Sequence, residues 1–522
     1  MLARAPGLSE RMRITAQALT TILALAATAL APACGRRPGD TGVGRGVLVI
    51  AIDALRADHV SAYGYDRHTT PTLDGLAAQG VAFTQAYTTS PETLSAHASL
   101  LTGCDPTVVR RAPFADPESA WLVSDCYVPD DVPHLAREFL AHGFRTAAFV
   151  DHPGISTFYG FGAGFHDFLG FHSEELVQKW DLGFAGVAGK FLNWLNDQDP
   201  GQDWFAYVHV NDLERIWQHP DPNADTRFEP RPGLAFVPPI SEADRAFFAI
   251  PRQRWSGGVF ALGDYEARYD GELFLLDSRI ARLLENLRSK GRLANTTVVV
   301  VGTYGIGFGD SGLYLDSGTL SDADLHVPLI VRPPLSMPCA RGAKSARLTS
   351  TVDVAPTLLD LFRIPKPKGM HGVSQFGALQ GDERPAREYA FASGGLQSGY
   401  AVIDSRWCYE HSSPGRLQSI GAPDDAALPT SLSRTWYGDD LDHGRAYRTF
   451  LHDRSANHST GHLNGSAADA AVRQRMADVG NDWFTWMLRA RDVLQRAKSR
   501  DKDGEIPFLD ELRRRGYVGD LR

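Results

Sequence analysis

The chain has 522 residues, a formal net charge of −9, 43% hydrophobic and 22% charged residues. These values are typical of a globular protein, and we find no internal repeat or low-complexity tract. The weak acidity and the lack of a basic motif exclude an electrostatic footprint for nucleic acid.

The first 34 residues have the pattern of an export signal. Arginines precede an uncharged, apolar stretch from residue 14 to residue 31, and small residues then lead to Cys34. Bacterial lipoproteins carry their lipidated cysteine at such a position, so lipidation and simple secretion both remain open. We expect an exported protein of the periplasm or cell envelope, bound to the membrane only if Cys34 is lipidated. Residues 35–46, rich in Gly and Arg, are predicted to be a linker.

Whether the four further cysteines form disulfides depends on export. They are Cys104, Cys126, Cys339 and Cys408. In an oxidising compartment an even number of cysteines favours disulfides, and we predict the nearest-neighbour pairing, Cys104 with Cys126 and Cys339 with Cys408. The alternative is that some of these cysteines are buried thiols. The sequence has no CxxC spacing, so it gives no indication of a zinc site.

Strand patterns alternate with helix patterns along the chain. Apolar, β-branched runs predict buried strands at 47–52, 81–87, 146–150, 204–210, 297–301 and 327–331. Apolar spacing and terminal glycines predict helices at 71–79, 135–142 and 265–290. The alternation predicts an α/β fold with a largely parallel sheet, and a functional site just after Ile52 and Val301, where two strands end.

The composition changes beyond about Pro367, where long apolar runs become rare. We therefore predict one large domain over 47–366 and a smaller C-terminal subdomain over 367–522. Residues 400–409 have the pattern of an edge strand, and residues 484–494 have helical spacing.

Several motifs occur in a distinctive order. Residues 47–59 read Val-Leu-Val-Ile-Ala-Ile-Asp-Ala-Leu-Arg-Ala-Asp-His, and residues 90–103 run from Ser-Pro-Glu-Thr to Leu-Thr-Gly. Val-Pro-Leu-Ile follows at 327–330 and Val-Asp-Val-Ala-Pro-Thr-Leu-Leu at 352–359. Together they resemble the sulfatase family of the alkaline phosphatase superfamily. The resemblance implies an alkaline-phosphatase-like sandwich and hydrolysis of sulfate or phosphate esters.

The resemblance also implies a divalent metal, commonly calcium in sulfatases. A carboxylate after the first strand binds it, which corresponds to Asp53, while the second aspartate of many members is replaced by Ala54. A cation held by carboxylates neutralises the ester oxygens during nucleophilic attack. Calcium, magnesium, manganese and zinc all remain open.

The nucleophile position falls on Thr93, where sulfatases have the cysteine that becomes formylglycine, so that chemistry is excluded there. Threonine is the nucleophile in related phosphodiesterases and phosphoethanolamine transferases, so Thr93 is either a nucleophile or a helix N-cap. His97 replaces the motif's arginine and either contacts an ester oxygen or fills a packing position.

The strongest departure from the family follows the strand at 297–301. Relatives have Ser-Asp-His-Gly there, with two metal ligands, whereas this chain has Thr303 and Tyr304 at the ligand positions. Threonine and tyrosine are poor ligands for such a cation. Four carboxylates are candidate replacements: Asp310, Asp316, Asp212 and Glu214.

Two functions follow from these motifs. The first is a pseudoenzyme, an exported binding or regulatory protein without ester hydrolysis. The second is an active metal-dependent hydrolase or transferase with Thr93 as nucleophile, and a purely structural envelope protein is a third. Tyr304 filling the site favours the first, whereas convergence of Asp53, Thr93 and a second carboxylate favours the second.

Overall fold

A computed structural model describes residues 43–109, 128–152, 154–157, 159–170, 183–216, 227–231, 240–241, 250–255, 261–310, 313–394, 399–412, 448–454 and 467–497. The strands are β1 Gly46–Ile52, β2 Val81–Phe83, β3 Ala86–Tyr87, β4 Arg145–Phe149, β5 Asp167–Leu169, β6 Trp204–Val210, β7 Ile240–Ser241, β8 Ile250–Pro251, β9 Thr296–Gly302, β10 Leu329–Arg332, β11 Ala343–Ser345, β12 Thr349–Ser350, β13 Ala390–Gly394, β14 Gly399–Ile403, β15 Trp407–Ser412 and β16 Arg448–Asp453. The α-helices are α1 Pro71–Gln79, α2 Thr93–Thr102, α3 Pro106–Val109, α4 Leu135–Ala141, α5 Gly183–Asn196, α6 Asp212–Arg215, α7 Leu262–Ser289, α8 Asp322–Leu325, α9 Val354–Leu361, α10 Phe376–Leu379 and α11 Ala467–Ala497.

The centre of the fold is an eight-stranded sheet in the order β11-β2-β10-β9-β1-β6-β4-β5. Strand β1 pairs in parallel with β6 and β9, and β10 runs antiparallel to both of its neighbours. The other pairings in this sheet are parallel. The predicted α/β fold with a large, mostly parallel sheet is therefore confirmed.

Alternation of side chains along β1 explains why both faces of the sheet are covered. Leu48, Ile50 and Ile52 join one apolar cluster, which includes residues of α1, α5 and α7. Val47 and Val49 point the other way into a second cluster with residues of α2, α4 and α9. Since every residue of β1 is buried, the strand needs apolar side chains at nearly every position, as the sequence has.

A second, antiparallel sheet of four strands, in the order β13-β14-β15-β16, forms the C-terminal part of the described chain. Trp483 and Met476 of α11 lie in its apolar cluster. The pattern at 400–409 is not one edge strand but two paired strands, β14 and β15. The predicted strand at 81–87 is likewise divided into β2 and β3 by a turn at residues 84–85, after which β3 pairs with β12 outside the large sheet.

The predicted disulfide between Cys339 and Cys408 is wrong, since both are free thiols. They belong to separate apolar clusters: Cys408 is buried beneath the second sheet, and Cys339 packs against the main core. Cys104 is also a free thiol, with its sulfur 3.3 Å from the carbonyl oxygen of Gly369. Its predicted partner Cys126 lies outside the described residues, as do the export signal and Cys34. Within the described residues, the helices are too short or too polar to span a membrane.

Candidate functional site

The carboxyl ends of β1, β6 and β9 meet at one edge of the large sheet. Ile52 is level with Val210 on one side and with Gly302 on the other, so the residues that follow these strands come together. Asp53 lies at the centre of this edge and is fully buried, and its backbone N–H donates to Val210. The next residue, Ala54, is buried with a left-handed backbone (φ 56°), and its methyl side chain offers no polar group.

Three side chains donate hydrogen bonds to the Asp53 carboxylate. His97 Nε2 lies 2.9 Å from Oδ1, and His209 Nε2 lies 3.1 Å from Oδ2. The Thr303 hydroxyl lies 2.5 Å from Oδ1. Burial alone raises the pKa of Asp53, but the two histidines outweigh it and hold this pKa well below its usual range. Asp53 is therefore an ionised carboxylate stabilised by protein donors.

The contacts of Nδ1 in each histidine show which of its two ring nitrogens carries the hydrogen. His209 Nδ1 accepts a bond from the backbone N–H of Asp151 at 3.2 Å, so its hydrogen is on Nε2, facing Asp53. His97 Nδ1 lies 2.5 Å from the hydroxyl of Tyr207, which can donate to it. Burial lowers the pKa of His97, which favours the neutral ring with hydrogen on Nε2. Both rings thus present N–H groups to Asp53.

These contacts do not fit a bound divalent cation. Donor atoms of Asp53, His97 and His209 all lie within 4.8 Å of one another, which is close enough for shared coordination. A histidine ligand, however, needs a lone pair toward the metal and usually donates its other N–H to an acceptor. His209 has the opposite arrangement, because a backbone donor occupies its Nδ1. Asp53 would also supply the only negative charge of this set.

A second chain of hydrogen bonds joins Thr93, Tyr304 and Glu214. The Tyr304 hydroxyl donates to Glu214 Oε2 at 3.0 Å and lies 3.0 Å from Thr93 Oγ1. Since the single phenolic hydrogen goes to Glu214, the Thr93 hydroxyl donates to Tyr304. Burial, together with the charges of Asp53 and Glu214, raises the pKa of Tyr304 well above its usual range. The phenol is therefore neutral and occupies the place beside the predicted nucleophile.

Thr93 itself is the first residue of α2 and is half-buried. The N-cap position belongs to Glu92, so the interpretation of Thr93 as a helix cap is wrong. His97 lies one turn further along the same helix and is fully buried between Tyr207 and Asp53. Both of its ring nitrogens therefore already have protein partners, and neither is free to contact an ester oxygen.

The candidate replacement carboxylates have different surroundings. Asp310 forms an ion pair with Arg56 (2.6 Å), and Asp212 forms one with Arg279 (2.9 Å). Asp316 Oδ1 lies 4.0 Å from the guanidinium of Arg254. Among the described residues, the set whose donor atoms are close enough to share a cation is Asp53, His97 and His209. It contains none of these three carboxylates, so the structure does not support Asp310 or Asp316 as ligands of a metal at Asp53.

Sequence reasoning missed two groups of this site. Arg254 is buried and lies 3.0 Å from the Glu214 carbonyl oxygen and 3.5 Å from its carboxylate. It comes from a short segment with no recognisable pattern. His209 was detectable, because it is a polar residue near the carboxyl end of the otherwise apolar strand β6.

Comparison with known proteins places this architecture in a family. The sulfatase family model matches residues 45–364. An arylsulfatase of Clostridium perfringens is 23% identical over 409 residues, covering 66% of this chain and 80% of the relative. A Δ4,5-hexuronate-2-O-sulfatase of Bacteroides thetaiotaomicron is 22% identical over 400 residues, covering 71% and 77%.

Solved structures show the same fold. The phosphonate monoester hydrolase of Agrobacterium radiobacter has a TM-score of 0.63 at 19% identity, covering 85% of this chain and 96% of that one. A protein solved with its substrate D-glucosamine-2-N,6-O-disulfate has a TM-score of 0.59 at 16% identity, covering 85% and 98%. Because the family model spans more than half of the chain, this protein belongs to the sulfatase family.

Proposed function

We propose that this sulfatase-family protein has lost metal-dependent ester hydrolysis and acts as a binding or regulatory protein. The observation that carries the proposal is the Asp53 carboxylate, which accepts hydrogen bonds from three protein donors. The family generally uses a divalent metal at this edge of the sheet. Here hydrogen bonds from His97, His209 and Thr303 stabilise the Asp53 carboxylate instead.

Tyr304 supports the same proposal from the other side of the site. Its ring is buried, and its hydroxyl bonds both to the predicted nucleophile Thr93 and to Glu214. Activation of a threonine hydroxyl needs a base or a cation that lowers its pKa. The direct neighbour of Thr93 is a phenol with a raised pKa, which supplies neither.

Metal titration tests the proposal. Calorimetric titration of the purified protein with Ca²⁺, Mg²⁺, Mn²⁺ and Zn²⁺ should give the same heats for wild type and for Asp53→Asn. Asp310→Asn is the matched control, because Asp310 is also a carboxylate predicted as a ligand but is paired with Arg56. Stoichiometric binding that survives in Asp310→Asn and disappears in Asp53→Asn would contradict the proposal.

A second candidate, a hydrolase that uses Thr93 as nucleophile, is favoured by one specific observation. The chain from Thr93 through Tyr304 ends at the Glu214 carboxylate, so the threonine proton can move to the phenol as the phenolic proton moves to Glu214. Burial raises the pKa of Glu214, which makes it a better acceptor. Arg254 places a positive charge beside this carboxylate.

Hydrolysis of p-nitrophenyl sulfate and p-nitrophenyl phosphate distinguishes the two candidate functions. The pseudoenzyme leaves both esters intact, with or without added metal. The hydrolase releases nitrophenol, and release should fall by about 100-fold or more in Thr93→Ala and in Tyr304→Phe if both lie on the proton path. Turnover that both variants retain would exclude the Thr93 mechanism.

For ligand and location we extend the proposal. A neighbour in fold binds a disulfated glucosamine, which suggests a sulfated saccharide as the ligand class to test first. The N-terminal pattern of basic, apolar and small residues before Cys34 suggests export to the cell envelope. Metabolic labelling with a palmitate analogue, compared between wild type and Cys34→Ser, distinguishes a lipid anchor from simple secretion.

A further inference from the structure

A cavity of about 410 Å³ lies between α1 and α7, remote along the strands from Asp53. It is lined by Leu293, just before β9 begins, and by Arg332, which is level with Val298 near the amino end of that strand. The candidate functional site follows the opposite, carboxyl end of β9. This volume falls in the range of about 300–1,000 Å³ that is typical of small-molecule sites.

Arg332 is the unusual member of the lining. Arg332 is only 1% exposed, and its Nη1 donates to the carbonyl oxygens of Leu293 at 2.8 Å and Thr296 at 2.9 Å. Its Nε has no hydrogen-bond partner, and no carboxylate in the described part of the chain forms an ion pair with it. A buried charge is normally paired, because desolvation without compensation is costly. Arg332 thus has an unbalanced positive charge beside an open cavity.

The remaining charges around the cavity do not balance it. Arg282 and Arg288 of α7 also line the cavity, and Glu285 is the acidic residue of the lining. Glu285 already forms an ion pair with Arg288 on the exposed surface of the helix. Burial lowers the pKa of Arg332, and the nearby charges of Arg341 and Arg288 add to this effect. The cavity therefore has a net positive lining.

Apolar side chains complete the wall. Leu76 of α1, Leu284 of α7 and Leu293 are all buried residues that border the cavity. Gly75, in the middle of α1, also borders the cavity, and a side chain added there would meet no atom within 4 Å. The glycine thus widens the space between the two helices at a cost in helix propensity.

We propose that this cavity binds a small organic anion, with its carboxylate or phosphate group at Arg332 and Arg288 and its apolar body against Leu76, Leu284 and Leu293. Guanidinium groups bind both carboxylates and phosphates through charge-assisted hydrogen bonds. The leucine side chains favour a ligand that has an apolar body, so we expect an organic rather than an inorganic anion.

Calorimetry with three probes tests the proposal: 2-naphthoate, 2-naphthyl phosphate and the neutral 2-naphthamide. At least one anion should bind wild type, and at least about tenfold more tightly than the amide, as loss of a charge-assisted bond implies. Arg288→Gln, on the exposed face, and Arg332→Met should each weaken anion binding by about tenfold or more. Equal binding of the amide, or no binding of either anion at millimolar concentration, would overturn the proposal.

Gly75→Leu provides a test that leaves every arginine in place. It should fill the cavity and abolish binding while keeping the fold, since leucine favours the helix more than glycine does. Gly189→Leu is the matched control: Gly189 lies inside α5, and a side chain added there would also meet no atom within 4 Å. Anion affinity that is unchanged in Gly75→Leu, or lost equally in both variants, would place the binding elsewhere and refute the site.

Discussion

Thr303→Val tests whether Asp53 depends on protein donors. Thr303 is 1% exposed, and its hydroxyl donates to the fully buried Asp53 carboxylate at 2.5 Å. Valine keeps the branched shape of threonine and removes only the donor. Asp53 would then retain the two histidine N–H groups and lose the shortest of its three bonds. We expect a loss of folding stability at neutral pH.

The magnitude follows from the kind of bond. A hydrogen bond to a charged group contributes about 1.5–3 kcal/mol to stability, and one between neutral groups about 0.5–1.5 kcal/mol. Thr303→Val should therefore lower the free energy of unfolding by about 2 kcal/mol in the wild-type background. In the Asp53→Asn background the same change should cost only about 1 kcal/mol, which leaves a coupling energy of about 1 kcal/mol between the two residues.

Urea unfolding followed by circular dichroism measures all four proteins of this cycle. Thr297→Val is the matched control, because Thr297 is a fully buried threonine on β9, the strand that Thr303 follows, and its hydroxyl has no hydrogen-bond partner. Its replacement should be neutral or stabilising, since a buried donor without a partner costs free energy. Equal effects of Thr303→Val and Thr297→Val, or an unchanged cost of Thr303→Val in Asp53→Asn, would refute the role of Thr303.

Three further expectations concern other parts of the molecule. Burial lowers the pKa of His371 to about 4. As pH falls, His371 is therefore protonated in the unfolded chain before it is protonated in the folded protein. Up to about 3 kcal/mol of stability that is present above pH 6.5 is lost toward pH 4. His371→Gln should reduce this loss when the free energy of unfolding is measured against pH. Without reductant, mass spectrometry after alkylation in denaturant should find both Cys339 and Cys408 modified, whereas in the folded protein buried Cys408 should react more slowly. Gly103→Ala should lower the melting temperature, because the backbone has φ 63° and the new methyl would lie 2.5 Å from Met370 Cγ.

The large sheet could be predicted because its strands are buried on both faces. Strand β6 has the predicted bounds, β1 begins one residue earlier than predicted, and β9 is one residue longer at each end. The short strands were harder, because pairing rather than composition ends them. Residues 81–87 form one apolar pattern, yet a turn at residues 84–85 separates β2 from β3, which pairs with β12 in another sheet.

The site was predictable in position but not in its contacts. Asp53 and Thr303 follow neighbouring parallel strands, so their meeting follows from the fold. That Asp310 bonds instead with Arg56 depends on a loop whose path the sequence does not encode locally. The orientation of the His209 ring depends on the backbone N–H of Asp151, which follows a different strand. Such contacts arise between elements far apart in sequence, where local patterns carry no information.

The substitutions at the family's ligand positions are consistent with one another when considered as electrostatics. A second carboxylate at position 303 would place two negative charges side by side in a buried site, which requires a cation or a proton. Threonine brings a hydroxyl instead, and that hydroxyl binds the charge that remains on Asp53. Tyrosine at position 304 bonds through its hydroxyl with Thr93 and Glu214. Because each group already has a partner, a metal would have to displace existing hydrogen bonds rather than fill a prepared site.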